Sequence, residues 1–337
     1  MNFNDEYNDE YIEKRNSLYE YFDEYFDELE FPDDVKIKIA HIDTGITEHP
    51  YLEGGFIKEN TMDFTKPQNN QKGKGVITVE KALSKKFGDH GTATAGLIIN
   101  NEEDENIKGI IPRWMIDNKM IEFHSYRVGN SVVLSINAVN RLSKAINHAV
   151  KEGCKIISIS LGAEGFEDRK LRLAMEYAVN NGVIICCAAG QLVPFQIYPA
   201  AFSHENLCIC CAASTAQNEP WKSTWWNSFQ NGYVTIAAPG TSMPKIYWED
   251  IDNPSVKKSE GSSYSTAYTA SVAALWYLKN YKSLSKRAGN EIVRIFKTRI
   301  QYTRIPWEDN RGYSRNKIGP GILNPKGVLK KRPPELR

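Results

Sequence analysis

Two short, uninterrupted apolar runs constrain this chain more than any other feature. They occupy residues 183–188 and 207–213, and strand-like segments at 35–42 and 155–161 precede them. A strand with one wet face alternates apolar and polar residues, so runs this continuous read as strands buried on both faces. Segments with helical spacing lie between and after them, at 90–99, 134–151, 169–181, 265–281 and 286–299. Further strand-like runs cover 121–128 and 233–237. Strands alternating with helices predict an α/β fold of three layers, a mostly parallel, doubly wound sheet with helices on both faces. Functional groups in such sheets gather at the carboxyl ends of the strands. Asp43 and the turn at 188–190 stand at two such ends.

The chain has 337 residues, 41% hydrophobic and 25% charged, enough for one large or two ordinary domains. No stretch reaches the roughly 18 apolar residues of a membrane span. The first residues are acidic and lack the basic-then-apolar layout of a secretory signal, so a soluble, cytoplasmic protein is expected. The net charge of +1 conceals an asymmetry, because residues 1–34 hold 13 acidic and 2 basic side chains. That acidic segment is expected to form an amphipathic helix over 11–30, ahead of a domain at 35–329 and a basic tail at 330–337. It is open between an inhibitory arm, a partner-docking helix for a regulatory protein, and the first helix of the domain. The basic body carries no nucleic-acid-binding motif, and no nucleic-acid partner is expected. Five of the six cysteines (Cys186, Cys187, Cys208, Cys210 and Cys211) lie in the apolar runs, and Cys154 lies just before the segment at 155–161. Alternation along a strand sends neighbouring thiols to opposite faces, which reads as core packing rather than a metal site.

Three short motifs carry chemistry. Asp43 opens Asp-Thr-Gly at the end of a buried run, where a carboxylate can orient an imidazole. His90 sits in Gly-Asp-His-Gly-Thr (88–92), at the start of a helix of small residues. Ser263 sits in Glu-Gly-Ser-Ser-Tyr-Ser-Thr-Ala (260–267), at the start of a long apolar helix. Serine becomes a nucleophile only when a base takes its proton and an acid holds that base in the right tautomer. Ser242, in Pro-Gly-Thr-Ser-Met (239–243), is a rival. The residues after it do not favour a helix, whereas those after Ser263 do, and a helix N-terminus offers free N–H groups to a developing oxyanion.

With these motifs in order Asp, His, Ser, the chain resembles the subtilisin-like serine proteases (subtilases, peptidase S8) over about residues 35–329. Residues 42–52 look like the family's Asp block and 88–96 like its His block. Ile-Ser-Leu-Gly (159–162) is similar to the strand that pairs with substrate, and Ala-Ala-Gly (188–190) to the floor of the primary specificity pocket. Tyr-Pro-Ala (198–200), Ala-Ala-Pro-Gly (237–240) and Gly-Pro-Gly-Ile-Leu-Asn (319–324) match further landmarks. The resemblance implies a subtilisin-like fold and a serine endopeptidase acting on peptides or proteins, with Asp43, His90 and Ser263 as its triad. It implies substrate contacts at Ser160, Leu161, Gly162, Ala188, Ala189 and Gly190, and an oxyanion hole at Ser263 and Gln191. Gln191 departs from the family's Asn there, having the same donor on one more methylene. No cofactor is required by this chemistry; calcium on the acidic turn at 100–106 is a lesser expectation beside a solvated turn. A subtilase-like binding or regulatory module with weak or partner-dependent proteolysis is the alternative.

Overall fold

A computed structural model describes residues 9–25, 35–102, 104, 106–165, 167–191, 196–225, 233–307 and 318–330. Among these, the helices are α1 (Asp9–Tyr25), α2 (Val79–Leu83), α3 (His90–Ile99), α4 (Arg113–Asp117), α5 (Ile136–Lys151), α6 (Arg169–Asn180), α7 (Lys222–Trp225), α8 (Ser262–Lys279), α9 (Tyr281–Leu284), α10 (Gly289–Thr303) and α11 (Pro325–Lys330). The strands are β1 (Ile37–Asp43), β2 (Met62–Asp63), β3 (Ile121–Arg127), β4 (Ile156–Ile159), β5 (Ala163–Glu164), β6 (Ile184–Ala188), β7 (Ile197–Tyr198), β8 (Ile209–Ser214), β9 (Ile236–Pro239), β10 (Met243–Trp248) and β11 (Pro254–Ser259).

Seven strands form one sheet in the order β2-β3-β1-β4-β6-β8-β9, and every neighbouring pair is parallel. The apolar runs are its central strands. Every residue of β4, β6 and β8 is buried, as a strand covered on both faces requires. Helices α3 and α8 pack together on the sheet, and α5 packs on α6 over its other face. The strand order reverses beside β1, whose neighbours are β3 and β4. A crevice therefore opens at the carboxyl ends of β1 and β4, as expected for a doubly wound sheet.

Helix α8 shows why some helices lack an amphipathic stripe. Sixteen of its 18 residues are buried, between α3 and strands β1, β4, β6, β8 and β9. Its residues are mostly small. The hydroxyls of Thr266, Thr269 and Ser271 return their protons to carbonyls one turn back, at 2.8, 2.7 and 2.9 Å, so they enter the core without unmet donors. All six cysteines are free and buried, and burial pushes the Cys186, Cys187 and Cys210 thiols far above their ordinary range.

Three further segments complete the fold. Helix α1 spans 9–25; residues 26–30 of the expected helix lie outside the described residues. Its Tyr11, Leu18, Tyr21 and Phe22 are buried in the main core, and Tyr11 and Tyr19 donate to the carbonyls of Lys108 and Gly109 at 2.9 and 2.5 Å. The acidic helix thus packs on the body through its aromatic face. The polar segment at 61–87 contributes β2 and α2. Asp63 of β2 is buried because Arg127 holds it at 2.6 Å, a pairing that polarity alone does not reveal. The residues after Ser242 form an antiparallel hairpin, β10–β11, that packs on α3.

Candidate active site

Asp43 ends β1 and is fully buried. The turn after it brings the Thr44 N–H to Asp43 Oδ1 at 2.7 Å. Helix α3 starts directly against this turn, and Thr44 Oγ1 accepts the Gly91 N–H at 3.1 Å. A Cβ at Gly91 would lie 2.2 Å from the Gly45 carbonyl oxygen, so only glycine lets α3 begin so close to β1. This contact delivers His90 to the carboxylate. His90 Nδ1 lies 2.7 Å from Asp43 Oδ1, and its Nε2 lies 3.0 Å from Ser263 Oγ. An ionised carboxylate only accepts, so Nδ1 carries the proton and Nε2 offers its lone pair to the Ser263 hydroxyl. Burial pushes the Asp43 carboxyl upward, but His90, His41 and the Thr44 N–H outweigh it and hold the group below its ordinary value of 3.8.

Ser263 is the second residue of α8 and half-buried. Its carbonyl accepts from Ser160 Oγ at 3.2 Å, which ties α8 to the end of β4. Its backbone N–H makes no hydrogen bond to a described residue, as expected in a first helical turn. Gln191 lies beside it. Gln191 Oε1 accepts the Ser262 N–H at 3.0 Å and the Ser262 hydroxyl at 3.2 Å. Gly261, the residue before α8, has no side chain to cap it, and the Gln191 carboxamide supplies that cap from another loop. Anchoring the oxygen leaves Nε2 as the group available to the cleft. Ser262 Oγ in turn accepts the Gly190 N–H at 3.1 Å.

A cleft of about 320 Å³ joins His90, Ser263 and Gln191 with Ser160, Leu161, Gly162, Ala188 and Gly190. Two expected contacts change. Ala189 does not line the cleft; it is fully buried, because alternation turns it into the core while its N–H bonds Cys211. Gly162 lines the cleft, but its main chain is already paired. Its N–H donates to the Val132 carbonyl at 2.9 Å, and its carbonyl accepts the Leu134 N–H at 2.8 Å. The strand expected to receive substrate along 160–162 is therefore closed at its far end. Ser242 sits in the β9–β10 turn with φ +52° and does not line the cleft.

Some cleft residues were not singled out from sequence. Val132, Val133, Glu164 and Lys245 come from loops and edge strands with no local signal of their own. Lys245 of the hairpin pairs with Asp89 at 2.8 Å and fixes the residue before His90. In the turn at 100–106, of which 103 and 105 lie outside the described residues, Asn100 Oδ1 and Asp104 Oδ1 accept N–H groups of the same turn. Among the described residues, no three His, Cys, Asp or Glu side chains are grouped to hold a metal ion.

Residues 34–304 match the family described as the subtilase family, peptidase S8. The chain belongs to the subtilase family. It is 28% identical to the major intracellular serine protease of Bacillus subtilis (strain 168) over 256 residues, 74% of this chain and 70% of that protein. It is 29% identical to thermitase of Thermoactinomyces vulgaris over 257 residues, 75% of this chain and 79% of that one. Among solved structures, the prenylagaramide maturation protease PagA superposes with a TM-score of 0.65 at 20% identity, covering 92% of this chain and 97% of PagA. MycP1 with its N-terminal propeptide removed gives 0.63 at 20% identity, covering 95% and 98%. The fold is subtilisin-like, and this subtilase is a serine-type hydrolase of peptide bonds. No helix among the described residues is long and apolar enough to cross a membrane.

Proposed function

We propose that this chain is a serine endopeptidase whose nucleophile, base and orienting acid are Ser263, His90 and Asp43. One observation carries this reading: hydrogen-bond distances of 2.7 and 3.0 Å run unbroken from Asp43 through His90 to Ser263, at the mouth of a cleft. Ser263 Oγ attacks the substrate carbonyl carbon while its proton passes to His90 Nε2. The buried Asp43 carboxylate stays ionised and stabilises the imidazolium. The oxyanion receives the Ser263 N–H and Gln191 Nε2. His90 then protonates the leaving nitrogen, the C–N bond breaks, and the acyl group remains on Ser263. Water attacks the ester as His90 takes its proton; the acid leaves and Ser263 regains its hydrogen. No cofactor enters these steps.

Substrate enters beside Ser160, whose carbonyl accepts no main-chain N–H among the described residues and can accept that of the residue that becomes the acyl group. Ala188 and Gly190 flank that residue. Beyond it, the pairing of Gly162 with 132–134 restricts strand addition. A binding-only module has less support, because Gln191 brings a carboxamide donor, without a partner among the described residues, to the cleft that Ser263 lines. For the acidic segment, burial of α1 supports a scaffold role over an inhibitory arm, and no described residue of α1 lines the cleft. An intracellular setting is supported by six free thiols and by the likeness to an intracellular protease. In a peptide-library digest, the wild type cleaves and Ser263→Ala loses roughly 10⁶-fold in rate. Undiminished cleavage by Ser263→Ala contradicts the reading.

A further inference from the structure

The triad uses one oxygen of Asp43, and the other oxygen faces a second histidine. Residues 41 and 43 point to the same side of β1, and Thr94 lies one turn beyond His90 on α3. Thr94 Oγ1 is 2.8 Å from His41 Nε2 and 3.3 Å from Asp43 Oδ2. His41 is 1% exposed, its Nε2 is 3.8 Å from Asp43 Oδ2, and its ring lies against Phe123 with centroids 5.3 Å apart. His41 Nδ1 has no hydrogen-bond partner among the described residues.

These distances select one arrangement of protons. Burial holds the His41 imidazole down to about 4, against the pull of the Asp43 charge and with a smaller push from His90, so the ring is neutral near pH 7. A proton on Nδ1 would bury an unpaired donor and aim the Nε2 lone pair at an anion. A proton on Nε2 meets Thr94 Oγ1 and directs its dipole toward the carboxylate. Thr94 Oγ1 then gives its own proton to an acceptor. The His90 and Gly91 carbonyls lie at 3.1 and 3.4 Å, but the ionised Asp43 oxygen is the stronger acceptor.

We propose that His41 and Thr94 are positioning residues for peptide hydrolysis, donating in series from His41 Nε2 to Thr94 Oγ1 and from Thr94 Oγ1 to Asp43 Oδ2. The proposal rests on the reading of Asp43, His90 and Ser263 as the triad. The series satisfies Oδ2 within a dry core, so Oδ1 remains turned to His90. It also disperses part of the carboxylate charge, which sets how strongly Asp43 favours a protonated His90. Both residues act through Asp43 and neither lines the cleft.

The test compares Thr94→Val, which keeps the shape and removes the donor, with Thr94→Ser, which restores it. Thr94→Val is expected to lower kcat about tenfold, the effect of losing one hydrogen bond to a charged group, with KM changed less than about twofold. The acid limb of kcat/KM moves up by about half a pH unit, because a less satisfied carboxylate is more basic toward His90. Thr94→Ser recovers the wild-type limb. A folded Thr94→Val with unchanged kcat and pH profile overturns the proposal, as does Thr94→Ser matching Thr94→Val. Should Thr94→Val not fold, ¹⁵N NMR of the wild type decides. A neutral, Nε2-protonated His41 from pH 5.5 to 8 is expected; an Nδ1-protonated or charged ring there overturns it. Ser263→Ala is assayed in parallel. Loss of cleavage in Ser263→Ala alone places the failure in this proposal, and cleavage by Ser263→Ala places it in the triad.

Discussion

At the scale of single residues, the proposed mechanism uses both ends of the Gln191 carboxamide. Its oxygen caps α8 through Ser262, which leaves its nitrogen for the oxyanion. Gln191→Glu separates the two roles, because a carboxylate keeps the cap and loses the donor. We expect Gln191→Glu to lower kcat by roughly 10²–10³-fold with the melting temperature preserved, the loss typical of one oxyanion donor. Near-full activity in steady-state kinetics would assign Gln191 to capping alone. Asp43, His90 and Ser263, the proposed triad, could be picked out in sequence because each sits in a short motif with its own local reason: a strand end, a glycine-flanked helix start, an apolar helix start. The role of the Gln191 oxygen could not, since Gly261 as an uncapped helix start becomes visible only when α8 is seen beside the 188–191 turn. His41 stands two residues before Asp43, so strand alternation alone puts both side chains on one face. What that spacing could not supply was Thr94, which the packing of α3 on β1 brings between them.

At the scale of elements, the closure of Gly162 by 132–134 changes how substrate can add to the sheet edge. In the proposed binding mode the first acyl-side residue meets Ser160, and pairing two residues along would need both main-chain groups of Gly162. Those two groups are taken. An open edge would gain two hydrogen bonds, about 1–3 kcal/mol, or roughly 5–150-fold in kcat/KM. Adding a third acyl-side residue to a dipeptidyl amide substrate is therefore expected to change kcat/KM less than about threefold. A gain of tenfold or more would show that 132–134 yields to substrate. The strands and long helices were readable because period and continuity report burial locally. The segment 132–134 was not, since its partner is some 30 residues away and its Val133 side chain is 56% exposed, showing no core pattern. The β10–β11 hairpin escaped for a related reason: its residues are half-wet, and its stability comes from packing on α3 and from bonds such as Trp248 Nε1 to Thr47 Oγ1 at 3.0 Å.

At the scale of the whole molecule, the buried histidines make stability depend on pH in a fixed direction. Burial lowers His41 and His49 from 6.5 to about 4, and lowers His124 and His148 as well. Between those values the unfolded chain binds protons that the folded chain refuses, so stability falls as pH falls from 6.5 toward 4. Each such group steepens the fall by up to about 1.4 kcal/mol per pH unit. Asp43, lowered in the folded state, adds its loss only below its ordinary 3.8. Urea midpoints are expected to drop steadily from pH 7 to pH 4.5, and a flat profile would contradict this assignment of neutral buried histidines. The same core that buries them, joined by α1, holds β1, α3 and α8 together, and those three elements carry Asp43, His90 and Ser263. The most direct measurement of that convergence is peptide mapping by mass spectrometry after labelling with a fluorophosphonate. One adduct on the peptide containing Ser263, lost in His90→Ala, is the predicted result. An adduct on Ser242, or no adduct in protein that cleaves peptides, would contradict the account.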